Sequence, residues 1–264
     1  MNDFKLSRFW QTLKWLVLTN KRQLLKITLI MLLVFFMEQL FVMLVGRGYS
    51  HNTYPSEYGA REMLVFGAVT FNYVTWAIFD LVMCSQVCGS LRSKQQRIML
   101  FTHPASKSEK YVARLVYYLV LVPVLTGLAM LLVNVLRIGV DVLAGFGAEG
   151  FLTNVIIRQF SMPFDLLLFN GLSLLWIISV FVLGGTFFRK VPFFMTAGVL
   201  LALGVLLAIV MLMFSLNTLF GFLDSEAFKW IMYVFYALFT VLNFWLSYRL
   251  YSRMQVIQNR WFNV

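Results

Sequence analysis

The residues with chemistry to offer stand in apolar surroundings. Glu38 sits about midway along one apolar run, beside Gln39, and Asp80 lies in the inner half of another. Ionisable groups in such runs are expensive to bury, which makes them candidates for handling ions, protons or substrate. Asn72, Trp76, Asp80 and Cys84 are spaced four apart, so they share one stripe of a helix. Thr240, Asn243 and Ser247 form a second polar seam, and Asn170 and Ser173 a smaller pair. Glu38, Asp80, Asn72 and Asn243 are therefore the candidate intramembrane polar residues. Two readings stand side by side. They line a polar path or substrate contact between helices, or they are hydrogen-bonding glue within a bundle.

Enzyme signatures are absent. No glycine-rich loop ends in Lys-Ser or Lys-Thr, which excludes ATP hydrolysis by that route. The two histidines, His51 and His103, fall in different loops, so no zinc helix with paired histidines exists. Cys84 and Cys88 share a helix face, but a disulfide within one helix has poor geometry. They read as small side chains in a packed helix. Ser106 lies near His103, yet a capping role explains it better. A carboxylate pair would need Asp80 with Asp165, which the topology below puts near opposite leaflets. No catalytic residue, metal or cofactor is expected.

The elements that position these residues follow from composition. Hydrophobic residues make up 61% of the 264 and charged residues 12%. Soluble domains run at about 45–50% and about 25%. Such a chain cannot coat a water-facing surface, so lipid must face much of it. Crossing the hydrocarbon core takes about 20 apolar residues. Six runs of that kind cover roughly 27–46, 63–87, 112–136, 166–188, 191–216 and 229–250. The fourth and fifth are split only by Arg189-Lys190 and Pro192, which predicts a tight helical hairpin with Pro in the first turn. The fold class is all-α: a polytopic membrane protein with six transmembrane helices and an amphipathic N-terminal interfacial helix.

Orientation follows from basic residues in short loops. With both termini inside, only Arg47, Arg61, Arg137, Arg158 and Lys229 fall on the outer side, and the other seventeen of 22 lie inside. The net charge of +11 is then an anchor on anionic inner-leaflet lipid, and no nucleic acid is implied. Residues 1–26 read as the interfacial helix, with Leu6, Phe9, Trp10, Leu13, Leu16 and Val17 recurring at helical spacing. Residues 27–250 form the six-helix domain and 251–264 a cytoplasmic tail. The loop 89–111 mixes Arg92, Lys94 and Arg97 with Ile98, Leu100 and Phe101. A short amphipathic helix fits 91–102 and ends at His103-Pro104, because a residue before Pro avoids helical geometry. Ser106-Lys107-Ser108-Glu109 then reads as a capping box that opens the third span. The loop is expected to be ordered, and an ordered basic loop suits a partner surface.

On these features the chain resembles the membrane subunits of bacterial ATP-binding-cassette exporters, the class handling drugs, lipids or polysaccharides. The likeness rests on layout over nearly the whole chain: a basic amphipathic helix, six spans and a structured loop between spans two and three. Locally, Pro104-Ala105-Ser106 with Glu109-Lys110 and Arg114 looks like a segment of poorly characterised permease-like proteins. So does the tail from Tyr251 through Met254-Gln255-Val256-Ile257 to Trp261. The resemblance implies a bacterial plasma-membrane permease, a homodimer or a pair with a related permease, served by a cytoplasmic ATPase subunit. Residues Arg92, Lys94, Arg97, Ile98, Leu100 and Phe101 would be the coupling element. The segment Leu216 to Phe228 is short for the outer re-entrant helices common in that class. A membrane scaffold that docks a cytoplasmic partner and an ion-coupled carrier using Glu38 or Asp80 stay open beside it.

Overall fold

A computed structural model describes residues 4–49, 57–88, 98, 102, 104–143, 164–213 and 226–253. The described chain is helical. In order the helices are α1 (Leu6–Tyr49), α2 (Glu57–Cys84), α3 (Lys107–Val116), α4 (Val122–Leu143), α5 (Phe164–Phe187), α6 (Pro192–Met213) and α7 (Glu226–Arg253). A π-helical turn, Tyr117–Leu121, joins α3 to α4 into one rod. Among the described residues five rods are long and apolar enough to cross a membrane, and α2, with 28 residues, has the length to be the sixth. The protein is thus an all-helical, six-span membrane protein with an N-terminal amphipathic helix.

Each boundary has a local cause. Helix α1 runs unbroken for 44 residues through the boundary expected at 26 and 27. At 1.5 Å per residue it is about 66 Å long, roughly twice the hydrocarbon thickness. Its first half, where Lys5, Lys14, Lys21, Arg22 and Lys26 are exposed, therefore belongs outside the core. Helix α3 starts at the expected capping box, and Ser106 is extended at φ −66° and ψ 158°. The π turn precedes Pro123, which has no N–H and whose ring crowds the carbonyl four residues back, at Leu119. The wider turn accommodates that crowding.

Helices α5 and α6 form the expected hairpin, with Pro192 as the first helical residue. Val191 before it has φ 46°, a left-handed backbone that a β-branched side chain resists. Val191 is 54% exposed, so no packing depends on its methyls. Val191→Gly should therefore stabilise the hairpin by about 1 kcal/mol. The check is a rise in the thermal midpoint in detergent, and a fall would mean the strain is compensated elsewhere.

The chain divides into two compact units. One comprises Met1–Leu13, Leu81–Tyr118 and Phe164–Val264, the other Lys14–Asp80 and Leu119–Pro163. In the first, α5 packs on both α6 and α7. Phe169 meets the rings of Tyr233 and Tyr236 edge-on at 5.9 and 5.7 Å, and Phe181 stacks on Phe193 at 5.3 Å. Gly184 and Gly185 allow the closest approaches. A Cβ on Gly184 would collide with the Thr196 side chain, and one on Gly185 with the Ser85 carbonyl. Small residues serve membrane helices in this way because backbone proximity, not hydrophobicity, drives packing in lipid. Residues 201–209 of α6 are exposed on every side, among them Leu201, Leu206 and Leu207. Only hydrocarbon tolerates such a surface.

In the second unit the core is Met31 and Phe35 of α1 with Met130 and Val133 of α4. Tyr73, Trp76 and Phe79 of α2 pack against them. The indole of Trp76 lies over Gly127 and donates Nε1–H to Thr126 Oγ1 at 3.0 Å.

Candidate functional site

The first unit holds a junction centred on Glu109. Its carboxylate is fully buried. Oε2 accepts the Ser106 N–H at 2.8 Å, and the Glu109 N–H donates to Ser106 Oγ at 3.2 Å. That completes the capping box read from the sequence. The second oxygen does something the sequence did not disclose. Oε1 accepts the Lys5 N–H at 2.8 Å, across 104 residues of chain. Lys5 precedes α1, and its own carbonyl accepts from Phe9 N at 3.0 Å, so it is the N-cap residue of that helix. One carboxylate therefore serves the N-termini of two helices, whose dipoles both favour negative charge there.

Three further residues of α3, Lys107, Tyr111 and Arg114, make contacts around this point. Arg114, one turn on from Lys110, donates Nη1–H to the Val87 carbonyl at 3.2 Å. Val87 lies in the turn 85–88 that follows α2, so the guanidinium satisfies a carbonyl past that helix's C-terminus. Arg114 also lies over the Tyr251 ring at 6.0 Å from α7. Lys107 Nζ donates to the Ser252 carbonyl at 2.8 Å. The Tyr111 ring contacts those of Tyr248 and Tyr251, each at 5.4 Å. The segment Pro104 to Arg114 and the chain around Tyr251, noted separately in the sequence, thus pack on one another.

The cysteines belong to the same region. Cys84 and Cys88 are free and buried, at 1% and 2% exposure. Burial pushes the Cys88 thiol up to about 11, with the Arg114 charge opposing the shift. A buried thiol with so little thiolate is inert. Both cysteines should resist a maleimide at neutral pH in the folded protein and react once it is denatured. Rapid labelling of folded protein would show this region to be open.

The second unit holds a polar seam. Arg137 Nη1 donates to Gln39 Oε1 at 2.7 Å, and Gln39 Nε2 to Asn134 Oδ1 at 3.5 Å. All three residues are buried, and Arg137 stands inside α4 rather than in an outer loop. Gln39→Leu leaves a buried guanidinium short of an acceptor. A loss of about 1–3 kcal/mol follows, read as a lower thermal midpoint. An unchanged midpoint would show that the hydrogen bond contributes nothing net.

The sequence candidates distribute as follows. Glu38 lies against Thr75, and Asp80 against Thr126. Glu38 Oε2, Asp80 Oδ1 and both amide atoms of Asn72 are buried without a hydrogen-bond partner among the described residues. Asn72 itself is 1% exposed. Asn243 Nδ2 donates to Ser179 Oγ at 3.0 Å, which joins α7 to α5, while the Thr240 and Ser247 hydroxyls of the same seam have no hydrogen-bond partner among the described residues. Ile98 is helical and 45% exposed, and its carbonyl accepts from Thr102 Oγ1 at 3.0 Å. Arg92, Lys94, Arg97, Leu100 and Phe101 lie outside the described residues. The sequence pattern singles out none of the three seam residues, Asn134 included. Gln39 stood beside Glu38 without a role, and Arg137 was counted with the outer loops because it follows the expected end of its span. No group of three or more metal-ligating side chains occurs among the described residues. No protein-family model matches the chain, and no curated protein or solved structure is significantly similar to it.

Proposed function

We propose that this chain is the permease subunit of an ATP-driven exporter in a bacterial plasma membrane, with both termini in the cytoplasm. A separate cytoplasmic ATPase subunit supplies the energy, and two permeases, identical or related, form the assembly. The supporting observation is the Glu109 bridge. It ties the start of α1 to the start of α3 beside the loop 89–103. A loop flanked by such a fixed junction can transmit a push from a partner into the membrane helices, where a loose linker would absorb it. Arg92, Lys94, Arg97, Ile98, Leu100 and Phe101 would meet the ATPase, and the basic N-terminal helix would rest on anionic lipid.

The test is a pull-down of tagged protein from the native membrane in mild detergent. The proposal expects an ATPase to co-purify and to be lost on replacing Arg97 and Leu100. Recovery of a non-ATPase partner on the same loop would make the chain a docking scaffold instead. Reporter fusions at Lys107 and Gly147 should fall in opposite compartments.

The unpartnered polar atoms of Glu38, Asn72 and Asp80 favour a second reading, an ion-coupled carrier. Transport that persists without ATP and stops in Glu38→Gln would establish it over the first.

A further inference from the structure

Lys110 and Arg114 are one turn apart on α3, which places both side chains on one face. Both are more than nine-tenths buried, at 6% and 4% exposure. Burying a cation is costly unless something compensates it. The nearby carboxylate, Glu109, has committed both oxygens to backbone N–H groups. The Arg114 guanidinium spends one N–H on the Val87 carbonyl, and its Nε has no partner among the described residues. Two cations against one carboxylate leave a buried excess of positive charge, next to an unused donor, Arg114 Nε.

The position fits an anion in depth as well as charge. Residues 107–114 carry Lys107, Glu109, Lys110 and Arg114, and the apolar run into α4 starts directly after them. That places the pair at the boundary between headgroups and hydrocarbon. Arg114 lies over the Tyr251 ring, which meets that of Tyr111, and such amphipathic rings suit this depth. Basic sites between membrane helices at this level hold phosphate headgroups.

We infer that Lys110 and Arg114 form a binding site for a phosphate-bearing anion at the junction of α3, α7 and the turn after α2. A ligand there supplies acceptors to Arg114 Nε and Lys110 Nζ and offsets the excess charge. Because Arg114 also holds the Val87 carbonyl, occupancy stiffens the entrance to the loop 89–103. The inference is independent of the ATPase reading. It holds equally if the partner is a scaffold.

The experiment uses delipidated full-length protein in mild detergent. Phosphatidylglycerol, phosphatidylethanolamine and inorganic phosphate are added in turn. Retained lipid is counted by native mass spectrometry, and the thermal midpoint is followed. Phosphatidylglycerol should bind at least tenfold more tightly than phosphatidylethanolamine and raise the midpoint. Lys110→Met should abolish that preference. This variant leaves the Glu109, Lys107 and Arg114 hydrogen bonds in place, and continued shielding of Cys84 and Cys88 shows that it is folded. Arg114→Lys keeps the charge but not the forked donors, and should weaken binding by a smaller factor. A response to inorganic phosphate alone, also lost in Lys110→Met, assigns the site to a soluble phosphate rather than a headgroup. Equal binding of the two lipids with no response to phosphate overturns the inference. So does an anion preference that survives Lys110→Met.

Discussion

Glu109→Ala should give the largest loss of stability of any polar substitution in this chain. The change removes the acceptors of the buried Ser106 N–H and the part-buried Lys5 N–H, and opens the N-termini of two helices together. A hydrogen bond to a charged group contributes about 1.5–3 kcal/mol, and the orphaned Ser106 N–H, being buried, has no water to turn to. Coupling between the two contacts keeps the total below their simple sum, so about 3 kcal/mol is expected. Glu109→Gln is the informative contrast. It keeps one acceptor oxygen and loses the charge that favours both helix ends, so it should lose about half as much. The measurement is the thermal midpoint of purified protein in detergent, with proteolysis at the N-terminus as a second readout. If Glu109→Ala loosens α3 but leaves the start of α1 protected, the Lys5 contact does not hold that helix. If Glu109→Ala and Glu109→Gln are equal, charge is the whole effect and the two-oxygen geometry matters little. The proposed coupling role would then lose its mechanical basis.

Gly185→Ala should be nearly as damaging, for a steric reason. An added Cβ falls on the Ser85 carbonyl, closer than real side chains approach, and backbone cannot rotate away as a side-chain tip can. Overpacking costs about 1–3 kcal/mol where side chains can adjust, and the upper end applies here. A fall in midpoint of about 6–12 °C corresponds to about 3 kcal/mol in a chain of this size. Gly198→Ala is the control. Its Cβ would meet nothing within 4 Å. Ala is the better helix former by up to about 1 kcal/mol, so this variant should gain stability. A Gly185→Ala protein as stable as Gly198→Ala would mean that α5 does not approach the turn after α2 so closely.

The two predictions probe different kinds of coupling. Glu109 joins elements through a shared charge, and Gly185 joins them through absence of a side chain. Both act on the segment Leu81–Tyr118, where the first unit gathers the end of α2, the turn after it and α3. That segment also contains Lys110 and Arg114. An exporter, a scaffold and an ion-coupled carrier would each need this segment held firmly.

The sequence by itself determined what depends on neighbours along the chain. Apolar runs of spanning length, the Arg189-Lys190-Val191-Pro192 break and the Ser106–Glu109 capping box are local patterns, and the helices and hairpin follow them. Each works through interactions within one or two turns, or through a lipid environment that acts on every residue alike. Tertiary structure alone decided the rest. The Lys5–Glu109 bridge spans 104 residues and the Arg137–Gln39 contact 98. Nothing in the local pattern of a glutamate or glutamine names a partner that distant. Arg137 looked like a loop residue because a cation is normally expelled from a span, and the buried hydrogen bond to Gln39 is a reason for it to stay. Glycine pairs such as Gly184-Gly185 are equally silent in sequence. Their function is the space they leave, and only a second helix shows what fills it.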